Sequence, residues 1–166
     1  MNYGDICRAV KRLQRRYCES DPFRICKQMG IVLLFQSLGK DPSAIKGFYL
    51  ECKRIRTITV NSDLPSVIQK IIVAHELGHA TLHRSSGLHA FHEVGMFDES
   101  STMEKDANLF AAEFLLDDDD VLNALNADNT FFSAAAQLYV PIELLDFIEG
   151  GADFGCIKLT DTTLYR

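Results

Sequence analysis

The feature that most constrains this chain is a His-Glu-x-x-His pattern at residues 75–79, which follows a mostly apolar segment. The segment predicts a central, buried helix over about residues 64–84. Histidines four residues apart project from one face of a helix, so His75 and His79 can bind the same cation. Glu76 is close enough to hold a water molecule beside that cation and to act as its general base. Two metal ligands and one catalytic carboxylate are therefore predicted, with Zn²⁺ as the ion.

Catalytic zinc usually has three protein ligands, so a third must come from elsewhere in the chain. The elongated motif with a third histidine six residues after His79 is absent, because position 85 is serine. His83 lies on the same helix face, but two helical turns, about 12 Å, separate it from His75. We therefore assign His83 a structural role or a role in supporting a ligand.

Glu104 is the strongest candidate for the third ligand, because it lies near the start of the next helix. A carboxylate there would complete a two-His, one-Glu set. However, Ser101-x-x-Glu104 is also a capping box, in which the carboxylate only satisfies a backbone amide. Spacing alone does not separate these two roles. Weaker alternatives lie in the preceding segment, at His89, His92, Asp98 and Glu99.

The remaining patterns predict an α+β fold in which a small antiparallel sheet packs on the metal-binding helix. Residues 1–116 would form this core, and residues 117–166 a C-terminal helical extension packed on it as part of one compact unit. The other elements we expect, with approximate bounds, are helices at 3–18, 22–29, 103–116, 121–125, 130–138 and 141–147, and strands at 31–35, 47–52, 55–61 and 154–159.

Composition limits the partners and the compartment. A net charge of −6 argues against a surface that binds duplex DNA, since phosphate neutralisation needs clustered lysine and arginine. The one basic run, at residues 11–16, reads as a solvated helix face. Five cysteines, an odd number with no C-x-x-C, indicate reduced thiols. The chain shows no leader peptide and no apolar run that could span a membrane, so we expect a cytoplasmic protein without membrane contact.

Two motifs together resemble those of the ImmA/IrrE family of metallopeptidases. Residues 75–83 read His-Glu-Leu-Gly-His-Ala-Thr-Leu-His, and residues 104–113 read Glu-Lys-Asp-Ala-Asn-Leu-Phe-Ala-Ala-Glu. The family's second motif is Glu-x-x-Ala-Asn-x-Phe-Ala-Ala-Glu, and its first glutamate is the third zinc ligand, so the resemblance implies that role for Glu104. Glu113 matches the later glutamate and reads as structural. The similarity extends over about residues 5–150.

One departure from the family pattern is visible at the end of the second motif. Family members usually have a proline after the Leu-Leu-x stretch, whereas this chain continues Leu115-Leu116-Asp117-Asp118. The difference concerns the exit of the helix and leaves the predicted ligands unaffected.

The resemblance implies a zinc-dependent endopeptidase that cleaves a helix-turn-helix repressor of a prophage or mobile element. Residues 132–147 are similar to a helix-turn-helix-like element of the family but contain no basic residue, so we expect packing or partner recognition there and no direct contact with nucleic acid. Two other readings stay open: a regulatory binding module that keeps the zincin fold without cleaving, and a metal-free structural domain. The sequence leaves the oligomeric state open.

Overall fold

A computed structural model describes residues 1–83, 89–90, 101–128, 130–142 and 144–145. The predicted strand at 154–159 lies outside the described residues, as does part of the predicted helix at 141–147. In chain order the elements are α1 (Tyr3–Tyr17), α2 (Pro22–Gln28), β1 (Ile31–Gln36), β2 (Gly47–Cys52), β3 (Ile55–Asn61), α3 (Ser66–Leu82), β4 (His89–Ala90), α4 (Thr102–Leu115), α5 (Asp118–Asp128) and α6 (Phe131–Leu138).

The sheet has the strand order β1-β3-β2-β4 and is mixed. The predicted hairpin is present, with β2 antiparallel to β3, and β4 extends β2 over two residues. β1 pairs with β3 in parallel, from Ile31 opposite Arg56 to Gln36 opposite Asn61. The fold class is therefore confirmed, but the expectation of a purely antiparallel sheet was wrong. The reason is that β3 lies between β1 and β2 in the sheet. Residues 37–46 cross over the end of β3 before β2 begins, and β1 and β3 therefore run in the same direction.

The side chain of Asn61 holds that crossing segment. Its Nδ2 donates to the carbonyl oxygens of Gly39 and Ile45, at 2.7 and 3.1 Å. Its Oδ1 accepts from the backbone N–H groups of Leu38 and Asp63, at 3.2 and 3.0 Å. Because Asn61 is fully buried, losing these bonds would leave polar atoms unsatisfied in the interior.

The core lies on both sides of α3, as predicted for a central helix. Every residue from Ile71 to Ala80 is buried. The sheet packs on one side of this helix and α4 on the other, while α1 packs against α4. Side chains of all these elements, together with α5 and α6, belong to one hydrophobic cluster. The division of the chain at residue 116 stays a prediction.

Two findings bear on the expected environment of the protein. Among the described residues, no helix has the length and apolar character needed to cross a bilayer. Four cysteines, Cys7, Cys18, Cys26 and Cys52, are free thiols, and Cys156 lies outside the described residues.

Candidate metal centre

Three polar side chains of α3 lie in the interior. His75, Glu76 and His79 are 5, 1 and 1 % exposed, on a helix whose other buried residues are apolar or glycine. Burying an imidazole or a carboxylate costs free energy unless the group has a partner or binds an ion. The burial is therefore difficult to explain as ordinary helix polarity and indicates that these side chains form a site.

The two histidines and Glu104 bring three donor atoms together. The Nε2 atoms of His75 and His79 are 3.0 Å apart, and Glu104 Oε2 lies 3.2 and 3.3 Å from them. Zinc–ligand bonds of about 2.0–2.1 Å in tetrahedral geometry place donor atoms about 3.3 Å apart. The triangle thus has the size that a single Zn²⁺ ion requires, and within the described part of the chain these residues form the one such group.

Glu104 takes part in a helix cap through its backbone, while its carboxylate faces the two histidines. Its backbone N–H donates to Ser101 Oγ at 3.2 Å, so serine caps α4. Its carboxylate points to His75 and His79. Burial opposes ionisation of this carboxyl, but hydrogen bonds from His75 and His79 lower its pKa to about 2. The carboxylate is therefore charged at neutral pH, as an ion-binding oxygen ligand must be.

Comparison with known proteins agrees with this geometry. The family described as the IrrE N-terminal-like domain, Peptidase M78, matches residues 26–147. The chain belongs to the ImmA/IrrE family of metallopeptidases. It is also 34 % identical over 142 residues to "Uncharacterized immunity region protein 2" of Bacillus phage phi105, covering 86 % of this chain and 87 % of that protein.

A glycine of the sheet allows β2 to lie directly over the metallopeptidase helix α3. A Cβ atom on Gly47 would come within 2.4 Å of Ile72 Cγ2 and 2.9 Å of the Thr59 carbonyl oxygen. It would also lie 3.8 Å from Glu76 Oε1. The first residue of β2 therefore approaches the predicted general base. Sequence reasoning missed Gly47, although a glycine at the start of a strand often marks a close backbone approach.

His83 contacts His79 and stands apart from the three donor atoms. The two Nδ1 atoms are 3.0 Å apart, and His83 Nε2 lies 3.6 Å from Asp106 Oδ2. Burial and the neighbouring His79 lower the pKa of His83, while Asp106 opposes the shift. This position agrees with the supporting role expected for His83. Asp106 was not anticipated, and its one sequence signal is its place two residues after Glu104.

Glu113 lies away from the metal-ligand triangle. Its carboxylate accepts a hydrogen bond from Tyr3 Oη at 3.0 Å, and Lys11 Nζ is 3.6 Å away. These contacts tie α4 to α1, in agreement with the structural role expected for this glutamate. The side chains of the weaker ligand candidates, His89, His92, Asp98 and Glu99, lie outside the described residues.

Proposed function

We propose that this protein is a zinc-dependent endopeptidase in which His75, His79 and Glu104 bind the ion and Glu76 is the catalytic base. The observation that carries the proposal is the convergence of two imidazole nitrogens and a carboxylate oxygen within 3.3 Å of one another, next in sequence to a buried glutamate. Two neutral imidazoles and one carboxylate are a common ligand set of catalytic zinc, and they leave a coordination position for water.

When bound, zinc would lower the pKa of its water ligand towards 7 and polarise the scissile carbonyl. Glu76 accepts the proton of the attacking water and transfers it to the nitrogen of the leaving amine. Its 1 % exposure limits the access of bulk water to this carboxylate. We expect an extended peptide to add to the sheet near the start of β2, because Gly47 lies beside Glu76 there.

The substrate we propose is a helix-turn-helix repressor of a prophage or mobile element. This follows from the family resemblance, and the printed name of the phage phi105 relative, an immunity region protein, supports it. Such a substrate would place the enzyme in the cytoplasm, which agrees with the four free thiols.

The decisive experiment is a cleavage assay on the repressor encoded beside this gene, with zinc-loaded protein. We expect the wild type to cleave, and Glu76→Gln to retain zinc but lose at least about 100-fold in rate, the usual contribution of a general base. Glu19→Gln is the matched control, since Glu19 lies outside α3 and α4 and binds the backbone N–H groups of Ser20 and Asp21, which a glutamine oxygen can still accept.

Each alternative has a distinct result. A wild-type protein that binds no stoichiometric zinc after reconstitution would point to a metal-free structural domain. Full biological activity of Glu76→Gln, with zinc bound and the repressor uncut, would point to a regulatory module that binds without cleaving. Cleavage by Glu76→Gln at the wild-type rate would remove Glu76 from the catalytic role.

A further inference from the structure

A chain of buried polar groups leads away from His79 on the side opposite to the metal-ligand triangle. His79 Nδ1 lies 3.0 Å from His83 Nδ1, and His83 Nε2 lies 3.6 Å from Asp106 Oδ2. The three side chains are 1, 8 and 10 % exposed. Within the described residues, His83 Nε2 is buried and has no closer hydrogen-bond acceptor.

The direction of these contacts is fixed by the chemistry of imidazole. A histidine that binds a cation through Nε2 must carry its proton on Nδ1. His79 Nδ1 then donates to His83 Nδ1, which can accept only if it is unprotonated. Neutral His83 must consequently carry its proton on Nε2, and this N–H faces the Asp106 carboxylate. One arrangement of protons therefore satisfies the whole chain.

We propose that His83 and Asp106 are positioning residues that fix the ring orientation and the tautomer of His79. The inference rests on the proposed metal centre. Metal-binding histidines generally donate their second N–H to a partner that orients the ring and makes it a better ligand. Here that partner is a histidine, and the carboxylate acts through it.

The two helices that supply the ligands also supply this support. His83 follows His79 by one helical turn at the end of α3, and Asp106 follows Glu104 on α4. A small change in the approach of α4 would therefore alter both the Glu104 ligand and the support of His79. This arrangement couples the spacing of the two helices to the affinity for the ion.

Asp106 has a second partner, so its burial near His83 has a competing explanation in which it only binds that partner. Its carboxylate accepts hydrogen bonds from the α-amino group of Met1 at 2.8 and 2.9 Å. The 3.6 Å distance to His83 is longer than a normal hydrogen bond, so its effect on the imidazole is mainly electrostatic. If Asp106 served only to bind the α-amino group, its removal would change stability and leave the metal centre unaltered.

The test uses His83→Asn and His83→Leu, two side chains of nearly equal shape. Asparagine keeps an acceptor oxygen near the position of Nδ1, and leucine has none. The measurements are the zinc Kd by chelator competition, the visible spectrum of the cobalt-substituted protein and the thermal unfolding of the metal-free protein. We expect His83→Leu to raise the Kd about 10–100-fold and to shift the cobalt spectrum, with most of the loss restored in His83→Asn.

Asp106→Asn supplies a second, independent variant. We expect a smaller but measurable rise in the zinc Kd, because the carboxylate acts through His83. The proposal would be overturned if His83→Leu had the same zinc Kd and cobalt spectrum as the wild type. It would also be overturned if the leucine and asparagine variants weakened zinc binding equally. If His83→Leu does not fold, an unchanged Kd in Asp106→Asn overturns it. A wild-type protein that binds no zinc would instead refute the metal centre itself.

Discussion

Gly78 of α3 lies against the ring of Phe110 of α4. A Cβ atom at Gly78 would be 3.2 Å from the Cβ, Cγ and Cδ1 atoms of Phe110, closer than side chains normally pack. Phe110 is fully buried, so its ring has little room to move in a close-packed interior. Because the same two helices carry His79 and Glu104, we expect this contact to set the distance between the predicted ligands.

Gly78→Ala should therefore weaken zinc binding. The added methyl group pushes α4 away from α3 and moves Glu104 from the two histidines, so we expect the zinc Kd to rise at least several-fold. Alanine gains about 1 kcal/mol of helix propensity over glycine, and without the steric conflict it would raise the melting temperature. Gly4→Ala is the control, since a Cβ there has its nearest neighbours at 3.4 and 3.5 Å. An unchanged Kd in Gly78→Ala would show that the contact does not set the ligand spacing.

Glu104 and its capping serine can be separated by substitution. Ser101→Ala removes the oxygen that accepts the Glu104 N–H, so it should cost about 0.5–2 kcal/mol of stability and leave the zinc Kd near the wild-type value. Glu104→Gln keeps the cap and the shape but loses the charged ligand. We expect its zinc Kd to rise by more than about 100-fold, beyond the loss typical of a supporting residue. A larger effect on zinc binding from Ser101→Ala than from Glu104→Gln would reverse the assignment.

Gly47→Ala should destabilise the protein by about 1–3 kcal/mol, because the new methyl group overlaps Ile72 Cγ2 at 2.4 Å. To test whether this overlap causes the loss of stability, Gly47→Ala is combined with substitutions of Ile72, and the free energy of unfolding is measured in denaturant. Ile72→Ala removes Cγ2, whereas Ile72→Val keeps it. We expect the Gly47→Ala/Ile72→Ala double variant to be more stable than the sum of its single effects, and the double variant with valine to be additive. If both double variants are additive, the loss of stability in Gly47→Ala comes from the contact with the Thr59 carbonyl oxygen.

The sequence predicted the metal-binding helix well because its signals are local. The His-Glu-x-x-His spacing and the apolar segment before it depend only on helix geometry, and α3 follows both. For Glu104 the spacing left the capping box and the metal ligand both open, and in the structure the capping bond at this residue is made by its backbone. Its backbone N–H donates to Ser101 Oγ, while its carboxylate faces the two histidines.

Features that depend on contacts between distant elements were not predictable in this way. A short apolar run identified β1 as a strand, and alternating side chains identified β3, but neither pattern carried information about their parallel pairing, which follows from the crossing segment held by Asn61. Asp106 meets His83 only because α3 and α4 pack together. Gly47 likewise gains its importance from the approach of β2 to α3.

The turn between β2 and β3 offers a stabilising substitution away from the metal centre. Lys53 and Arg54 have φ angles of 49° and 69°, a region that costs side-chain-bearing residues free energy and that glycine adopts freely. Arg54→Gly should raise the free energy of unfolding by up to about 1 kcal/mol, with an unchanged zinc Kd. Arg54→Ala removes the same charge but keeps the backbone cost. If alanine stabilises the protein as much as glycine, the charge is responsible and the backbone is not.

The buried thiol of Cys26 should make the free energy of unfolding decrease as the pH rises above 9. Its thiol is fully buried, and burial, aided by Asp21, raises its pKa from 9.0 to about 12. Between these values the folded protein keeps the proton and the unfolded chain loses it, so stability is fully present below pH 9 and falls as the pH rises. Urea unfolding of the metal-free protein should show the advantage of the wild type over Cys26→Ala shrinking by about 1.5 kcal/mol between pH 9 and pH 10.5. A difference between the two proteins that stays constant across this range would mean that the thiol ionises as easily in the folded protein as in the unfolded chain.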